Sequence, residues 1–360
     1  MNTRLKLLHS EIESQNLDGV LITNIPNIIY LTNYSGFSEV EREAFLLITP
    51  KTQIILTDGR YSQAVKKLIS DFKLLEINSR NKFSDLLSKT LKKLKIENLG
   101  VEESDLKVSE YKQIKKVHKS LTDFKFHHHR AIKTDEEIKL IKKSCEIGDK
   151  AFDYIQTKIK SGMSEKQLMF LLESFIREQG FEPSFKTIVA FGENSAIPHH
   201  QTGDRKLKSG DFVLLDVGVR FKNYCSDMTR TLIFGTPSEK QFLIHETVKE
   251  AQQKAFEYLN QNIIKEVKAS DLDKIARDYI LEQGFPSIPH SLGHGIGIEV
   301  HEPPYLGMNS KNTLKEGMVF SIEPGIYLPE LGGVRIEDLY VIEKKGVKQL
   351  TASHKALIAL

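Results

Sequence analysis

Residues 207–218 read LKSGDFVLLDVG, and 107 positions later residues 314–325 read LKEGMVFSIEPG. Each stretch has Leu-Lys-x-Gly, an apolar run of strand length, and a lone acid, Asp216 or Glu323, with Gly218 or Gly325 two residues beyond it. An echo lies upstream of each. Lys150-Ala151-Phe152-Asp153-Tyr154-Ile155 returns as Lys254-Ala255-Phe256-Glu257-Tyr258-Leu259, an offset of 104 that holds to Gln179-Gly180-Phe181 against Gln283-Gly284-Phe285. Ordered matches at nearly one offset describe a duplicated domain. Two halves facing each other about a pseudo-two-fold would bring their equivalent acids together at the axis.

The upstream part of each repeat carries helix signals. Ser164 with Gln167 forms a capping box and Gly180 closes that helix. In the second half Ser270-Asp271-Leu272-Asp273 reads as a start, and Leu272, Ile275, Ala276, Tyr279 and Ile280 follow at helical spacing before Gly284. Two helices followed by strands, twice over, predict an α+β domain with antiparallel sheet backed by helices.

Working outward toward the N-terminus, a first segment has its own alternation: a helix over Leu5–Leu17, strands over Gly19–Thr23, Ala44–Thr49 and Gln53–Thr57, and a helix through Ala64–Leu68. The polar stretch His127–Asp135 interrupts this pattern before a helix from Glu136. The expected organisation is a smaller α/β domain over residues 1–128 and the duplicated domain over residues 129–360.

Five residues of metal-ligand type run through the duplicated domain in order: Asp216, Asp227, His294, Glu323 and Glu337. Their contexts, LLDVG, CSDMTRT, HSLGHGIG, SIEPGIY and GVRIEDLYVIE, are apolar or glycine-flanked, where an unpaired carboxylate costs several kcal/mol. The nearby Arg230 and Arg335 cannot offset four acids, whereas two divalent cations bring four positive charges. A hairpin centred between Phe221 and Lys222 would set Asp216 opposite Asp227, with Cβ atoms roughly 4.5–5.5 Å apart. A second hairpin turning in Pro329-Glu330-Leu331-Gly332-Gly333 would do the same for Glu323 and Glu337.

Composition narrows the function classes. The chain has 360 residues, 40% of them hydrophobic, and a formal charge of +3 with lysines scattered among glutamates, which argues against nucleic-acid binding. Cys145 and Cys225 make no disulfide framework, and Cys225 reads as a small buried filler rather than a ligand. With no apolar signal segment and no run of about 18 apolar residues, a cytoplasmic protein without membrane association is expected. His127-His128-His129 invites a metal reading, but successive residues point in different directions and no acid cluster surrounds them in sequence. Gly293-His294-Gly295-Ile296-Gly297 lacks the glycine spacing and βαβ context of a dinucleotide loop and reads as tight packing around His294.

The series D…D…H…E…E, with HSLGHGIGIEVHE, SIEPGIY and GVRIED, resembles the pita-bread metallopeptidases, in the branch that holds aminopeptidase P and prolidase. YLTNYSG at residues 30–36 and TDGRY at residues 57–61 resemble the creatinase-like N-terminal domain of that branch. The resemblance implies a dinuclear centre in which Asp216 chelates one ion, His294 and Glu323 hold the other, and Asp227 and Glu337 bridge them. Manganese is the first expectation, with cobalt or zinc as alternatives. It further implies that the ions activate a water whose proton Glu323 takes and passes on. His199 and His301 would contact the substrate carbonyl and the intermediate, and His290 would line the pocket. Arg335 would orient the site or reach a substrate carboxylate. The implied substrates are peptides with proline second, whose scissile bond lacks an N–H, and a homodimer is the expected assembly. HHQT at residues 199–202 departs from the PHG of many prolidases and tips the reading toward an Xaa-Pro aminopeptidase, with an Xaa-Pro dipeptidase as the alternative.

Overall fold

The computed structural model describes residues 3–38, 40–263 and 266–360. The chain divides into two compact units, Met1–His128 and His129–Leu360.

The first unit is built on a mixed sheet. Among the described residues it has six strands in the order Lys73–Ile77, Gln53–Asp58, Ala44–Ile48, Gly19–Ile22, Leu99–Val101 and Leu121–Asp123. Ala44–Ile48 pairs antiparallel with both of its neighbours, and the outer pairings are parallel. The central runs GVLI and AFLLI are buried at every position, as parallel and central strands covered on both faces require. The first helix spans Thr3–Ser14 and stops short of the expected Leu17, because Asn16 turns to φ 53° and the Leu17 N–H donates to the Ile12 carbonyl.

The second unit repeats one plan. Helices Asp135–Gln156 and Glu165–Glu178 precede the strands of the first half, and helices Glu239–Asn262 and Ala269–Glu282 precede those of the second. Thr134 with Glu137, Ser164 with Gln167 and Ser238 with Gln241 form capping boxes. The helix expected to start at Ser270 begins earlier, at Ala269, where the Asp271 carboxylate accepts from the Lys268 N–H. Each half has its own core. Phe152, Leu168, Leu172, Val189 and Leu215 pack in the first, and Val248, Ala255, Leu272, Phe320 and Ile322 in the second.

The strands carry the acids. Ile188–Phe191, Phe212–Val217 and Met228–Ile233 form one antiparallel sheet. A second sheet runs Glu302–Leu306, Gly293–Gly295, Val319–Ile322, Asp338–Glu343, Gly346–Gln349. In the second hairpin Ile322 opposes Asp338 and Gly325 opposes Arg335, so one register sets Glu323 against Glu337. The first hairpin departs from its expected centre. Phe221 opposes Tyr224 across Lys222-Asn223, both at positive φ (46° and 73°), the backbone of a two-residue hairpin turn. That moves the register by two residues: Asp216 opposes Thr229, and Asp227 falls against Gly218. The two aspartates are diagonal neighbours on one face, not an opposed pair.

His127–Arg130 form a single 3-10 turn, and the side chain of His127 lies outside the described residues. Among the described residues no helix is long and apolar enough to cross a membrane.

Candidate metal centre

The register gathers all five residues of the series at the seam between the two half-sheets. Asp216 lies in the strand Phe212–Val217, Asp227 just before Met228–Ile233, His294 in Gly293–Gly295, and Glu323 and Glu337 at the breaks between paired strands of the second hairpin. Ligand atoms of Asp216, Asp227 and Glu337 lie within 4.8 Å of one another, as do those of His294, Glu323 and Glu337. Glu337 is common to both groups. His294 Nε2 stands 3.2 Å from Glu323 Oε1, 3.8 Å from Asp227 Oδ2 and 4.0 Å from Glu337 Oε1. Its Nδ1 faces the Gly295 carbonyl at 3.2 Å, so Nδ1 carries the proton that the carbonyl accepts and Nε2 is turned to the acids. The flanking glycines permit this closeness: a Cβ on Gly293 would stand 2.0 Å from the Ser321 carbonyl oxygen, and one on Gly295 2.3 Å from that of Pro303.

Without cations this arrangement is electrostatically expensive. Burial, then the charges of Glu337 and Asp216, push the Asp227 carboxyl well up; burial, then Glu323 and Asp216, do the same to Glu337. Burial also raises Asp216, against the pull of Arg335. Burial would depress His294, but its hydrogen bond to Glu323 and that charge lift it to about 9, and the same pair draws Glu323 down to about 2 against its own burial. Asp216 Oδ1, Asp227 Oδ1 and Glu337 Oε1 are buried with no hydrogen-bond partner. Orphaned carboxylate oxygens around one imidazole nitrogen are a donor set that suits divalent ions, and the residues present fit two of them.

Several side chains that the sequence did not single out hold this set in place. Thr229 Oγ1 donates to Glu337 Oε2 at 2.7 Å and accepts from Arg335 Nε at 3.1 Å. Ser321 Oγ donates to Glu323 Oε1 at 3.1 Å. Arg335 Nη2 donates to Asp216 Oδ2 at 2.7 Å, and its Nη1 reaches the Pro198 carbonyl and the Tyr327 hydroxyl. Arg335 is therefore committed to orienting Asp216. Tyr327 stands 2.8 Å from His290 Nε2, whose Nδ1 faces the Ser291 carbonyl, so His290 is a neutral acceptor of the tyrosine proton; burial lowers its pKa. Tyr327 follows Gly325 by two in a strand and so shares its face, the one signal that would have found it.

The remaining histidines differ in placement. His301 packs edge-to-face on His294 with ring centroids 4.2 Å apart, and its ligand atom also lies within 4.8 Å of those of Asp227 and His294. His199 is exposed and stands near both His290 and His301. The next residues do structural work. His200 Nε2 meets the fully buried Glu165 at 2.8 Å, Gly203 N donates to the same carboxylate, and Thr202 Oγ1 accepts from Val189 N. Cys225 is buried with Sγ on the Ile298 carbonyl, and Arg230 pairs with Asp338 rather than with any of the five.

Residues 139–344 match the family described as metallopeptidase family M24, and residues 4–130 match the creatinase/prolidase N-terminal domain. A protein named Xaa-Pro dipeptidase from Pyrococcus horikoshii is 38% identical, with 99% of each chain covered. Its namesake from Pyrococcus furiosus is 37% identical over 99% of this chain and 100% of its own. Among solved structures, an Xaa-Pro dipeptidase from Bacillus anthracis superposes with a TM-score of 0.91 at 37% identity, covering 99% of both chains. An X-Pro aminopeptidase from Thermotoga maritima does so with a TM-score of 0.86 at 33% identity, covering 99% of this chain and 100% of its own.

Proposed function

From the premise that this chain belongs to metallopeptidase family M24 and carries the creatinase/prolidase N-terminal domain, we propose that it is an Xaa-Pro dipeptidase dependent on two divalent ions. The observation that carries the chemistry is the convergence of Asp216, Asp227, His294, Glu323 and Glu337 with three buried carboxylate oxygens unpartnered. The choice of dipeptidase follows the full-length relatives of that name, at 38% and 37% identity. It replaces the aminopeptidase reading favoured by the HHQT segment. His200 and Thr202 are taken up by Glu165 and Val189, so that departure reports on packing and not on substrate length.

In this reading Asp216 would help hold one ion and His294 with Glu323 the other, with Asp227 and Glu337 as the carboxylates shared between them. When bound, the ions supply Lewis acidity toward the scissile carbonyl and lower the pKa of a water. Arg335 keeps the Asp216 carboxylate turned inward through their ion pair, and Thr229 fixes one oxygen of Glu337. Glu323, braced by Ser321, would accept a proton and hand it to the leaving nitrogen. His199 and His301 would donate to developing charge on the substrate. His290 and Arg335 are both engaged with the Tyr327 hydroxyl, and in this reading His290 lines the pocket. Manganese remains the first choice of ion and a homodimer the proposed assembly.

The test compares Ala-Pro with Ala-Pro-Ala on one metal-loaded preparation. The dipeptide is expected to be cleaved with the higher kcat/KM. Equal or better cleavage of the tripeptide at its first bond would restore the aminopeptidase reading and leave the metal chemistry untouched.

A further inference from the structure

Asp338, the residue after Glu337, is a fully buried carboxylate that none of the chemistry above uses. Its Oδ1 accepts from Arg230 Nη2 at 2.6 Å, Thr351 Oγ1 at 2.6 Å and Gln349 Nε2 at 3.1 Å. Its Oδ2 accepts from Gln252 Nε2 at 3.1 Å and Lys355 Nζ at 2.9 Å. Five donors, two of them cations, converge on one side chain. Arg230 extends the cluster to the ligand itself: its Nη1 donates to the Glu337 carbonyl oxygen at 2.6 Å and to that of Thr229 at 2.9 Å.

The other side of the cluster is the segment Thr351–Leu360. Arg230 Nη2 donates to the Ser353 carbonyl at 2.6 Å and its Nε to that of His354 at 3.1 Å. Asp149 accepts from the Ala352 and Ser353 N–H groups and from the Ser353 hydroxyl. Farther along, Ile233 N donates to the Ile358 carbonyl and Leu360 N to that of Ile233, so the segment also grips the strand that follows Asp227. Lys355 in turn reaches Gln252 Oε1 at 2.7 Å, and Gln252 Nε2 donates to the Ile322 carbonyl beside Glu323.

A buried ion triad of this kind is a poor source of stability compared with apolar packing, but it restricts geometry because each member must be satisfied. Here the restricted element is the backbone on which Glu337 sits. The polar partners standing behind ligands tune affinity by 10–100-fold in metal sites generally. We propose that the segment Thr351–Leu360 is a positioning element of the metal centre, in which Lys355 and Arg230, acting through Asp338 and the Glu337 carbonyl, set the placement of the Glu337 carboxylate. Lys355 is a positioning residue and touches neither substrate nor ion.

This inference rests on the two-ion reading, and its test keeps the two apart. Chelator-stripped wild type, Lys355→Met, Lys355→Arg and Lys348→Met, a neighbouring exposed lysine, are titrated with Co2+ and with Mn2+. The visible absorption of the Co2+ forms is recorded alongside. Wild type and Lys348→Met should bind two ions alike. Lys355→Met should lose about 10-fold or more in affinity for at least one ion and change the Co2+ band, and Lys355→Arg should restore both. If Lys355→Met does not fold, Thr351→Val, which removes one donor from the same carboxylate, should show a smaller loss in the same direction. Wild-type affinities and spectrum in Lys355→Met, or in Thr351→Val where it stands in, would overturn the inference. A wild-type chain that takes up no divalent ion would overturn the metal reading and this inference with it.

Discussion

Arg335 Nη2 lies 2.7 Å from Asp216 Oδ2, and this ion pair is buried on both sides. The other Asp216 oxygen has no partner, so the arginine fixes which oxygen faces the centre. Arg335→Met should reduce kcat/KM for Ala-Pro by at least about 10²-fold and weaken metal retention by about 10–100-fold. Arg335→Lys should recover only part of either, since an ammonium cannot span Asp216, Thr229 and Tyr327 at once. Kinetics and metal analysis on the same samples check this.

The crowding of acids predicts that the metal-free protein is strained. Asp227→Asn removes a charge that burial and Glu337 both disfavour. In chelator the variant should therefore melt higher than wild type by on the order of 2 kcal/mol, about 4–8 °C for a domain of this size. With Mn2+ or Co2+ present the order should reverse, because only the wild type gains ligand-binding stabilisation. Paired thermal melts decide it.

His199 and Glu165 separate proton chemistry from metal binding. His199→Ala should keep both ions and lose about 10²-fold in kcat. Glu165→Gln should also keep the ions but lose about 10-fold in kcat/KM, because an amide cannot accept from Phe191 N, Asn194, His200 and Gly203 N together. Loss of metal in His199→Ala would make His199 a ligand.

Stability should fall in mild acid through His245. It is buried in the helix Glu239–Asn262, and burial lowers its pKa from 6.5 to about 4, outweighing the attraction of Glu246. A depressed folded-state pKa gives stability that is present above pH 6.5 and lost as pH falls toward 4, up to about 3 kcal/mol. His245→Leu should flatten the melting-temperature profile in that window and leave it unchanged above pH 7. An unaltered slope would mean that other groups carry the acid sensitivity.

Much of the fold could be read locally. The Glu323–Glu337 hairpin is centred where the sequence places it: Leu328 opposes Gly332, and Pro329-Glu330-Leu331 make the turn between them. The first hairpin turns one residue beyond its expected centre, a register shift of two, because Lys222 and Asn223 with their tolerance of positive φ decide the turn and not the symmetry of the acids. The five converging residues were legible from charge among apolar neighbours. Their supports were not: Thr229, Ser321 and Tyr327 are ordinary strand residues until the two hairpins are brought together. Glu165 lies 35 positions from His200, so no local reading of HHQT could find the bond that explains it. The same holds for Lys355 and Asp338, joined only by the tertiary fold.

The most direct measurement is metal stoichiometry against activity. Protein stripped with chelator is titrated with Mn2+ while bound metal and Ala-Pro hydrolysis are followed together, for wild type, Asp227→Ala and Glu337→Ala. Wild type should be inactive when stripped, bind two ions per chain, and reach full rate as the second ion binds. Both variants should lose metal and all measurable hydrolysis, since each removes a carboxylate shared by the two ions. Full activity in the stripped wild type, or a variant that keeps two ions and the wild-type rate, would contradict the proposed centre.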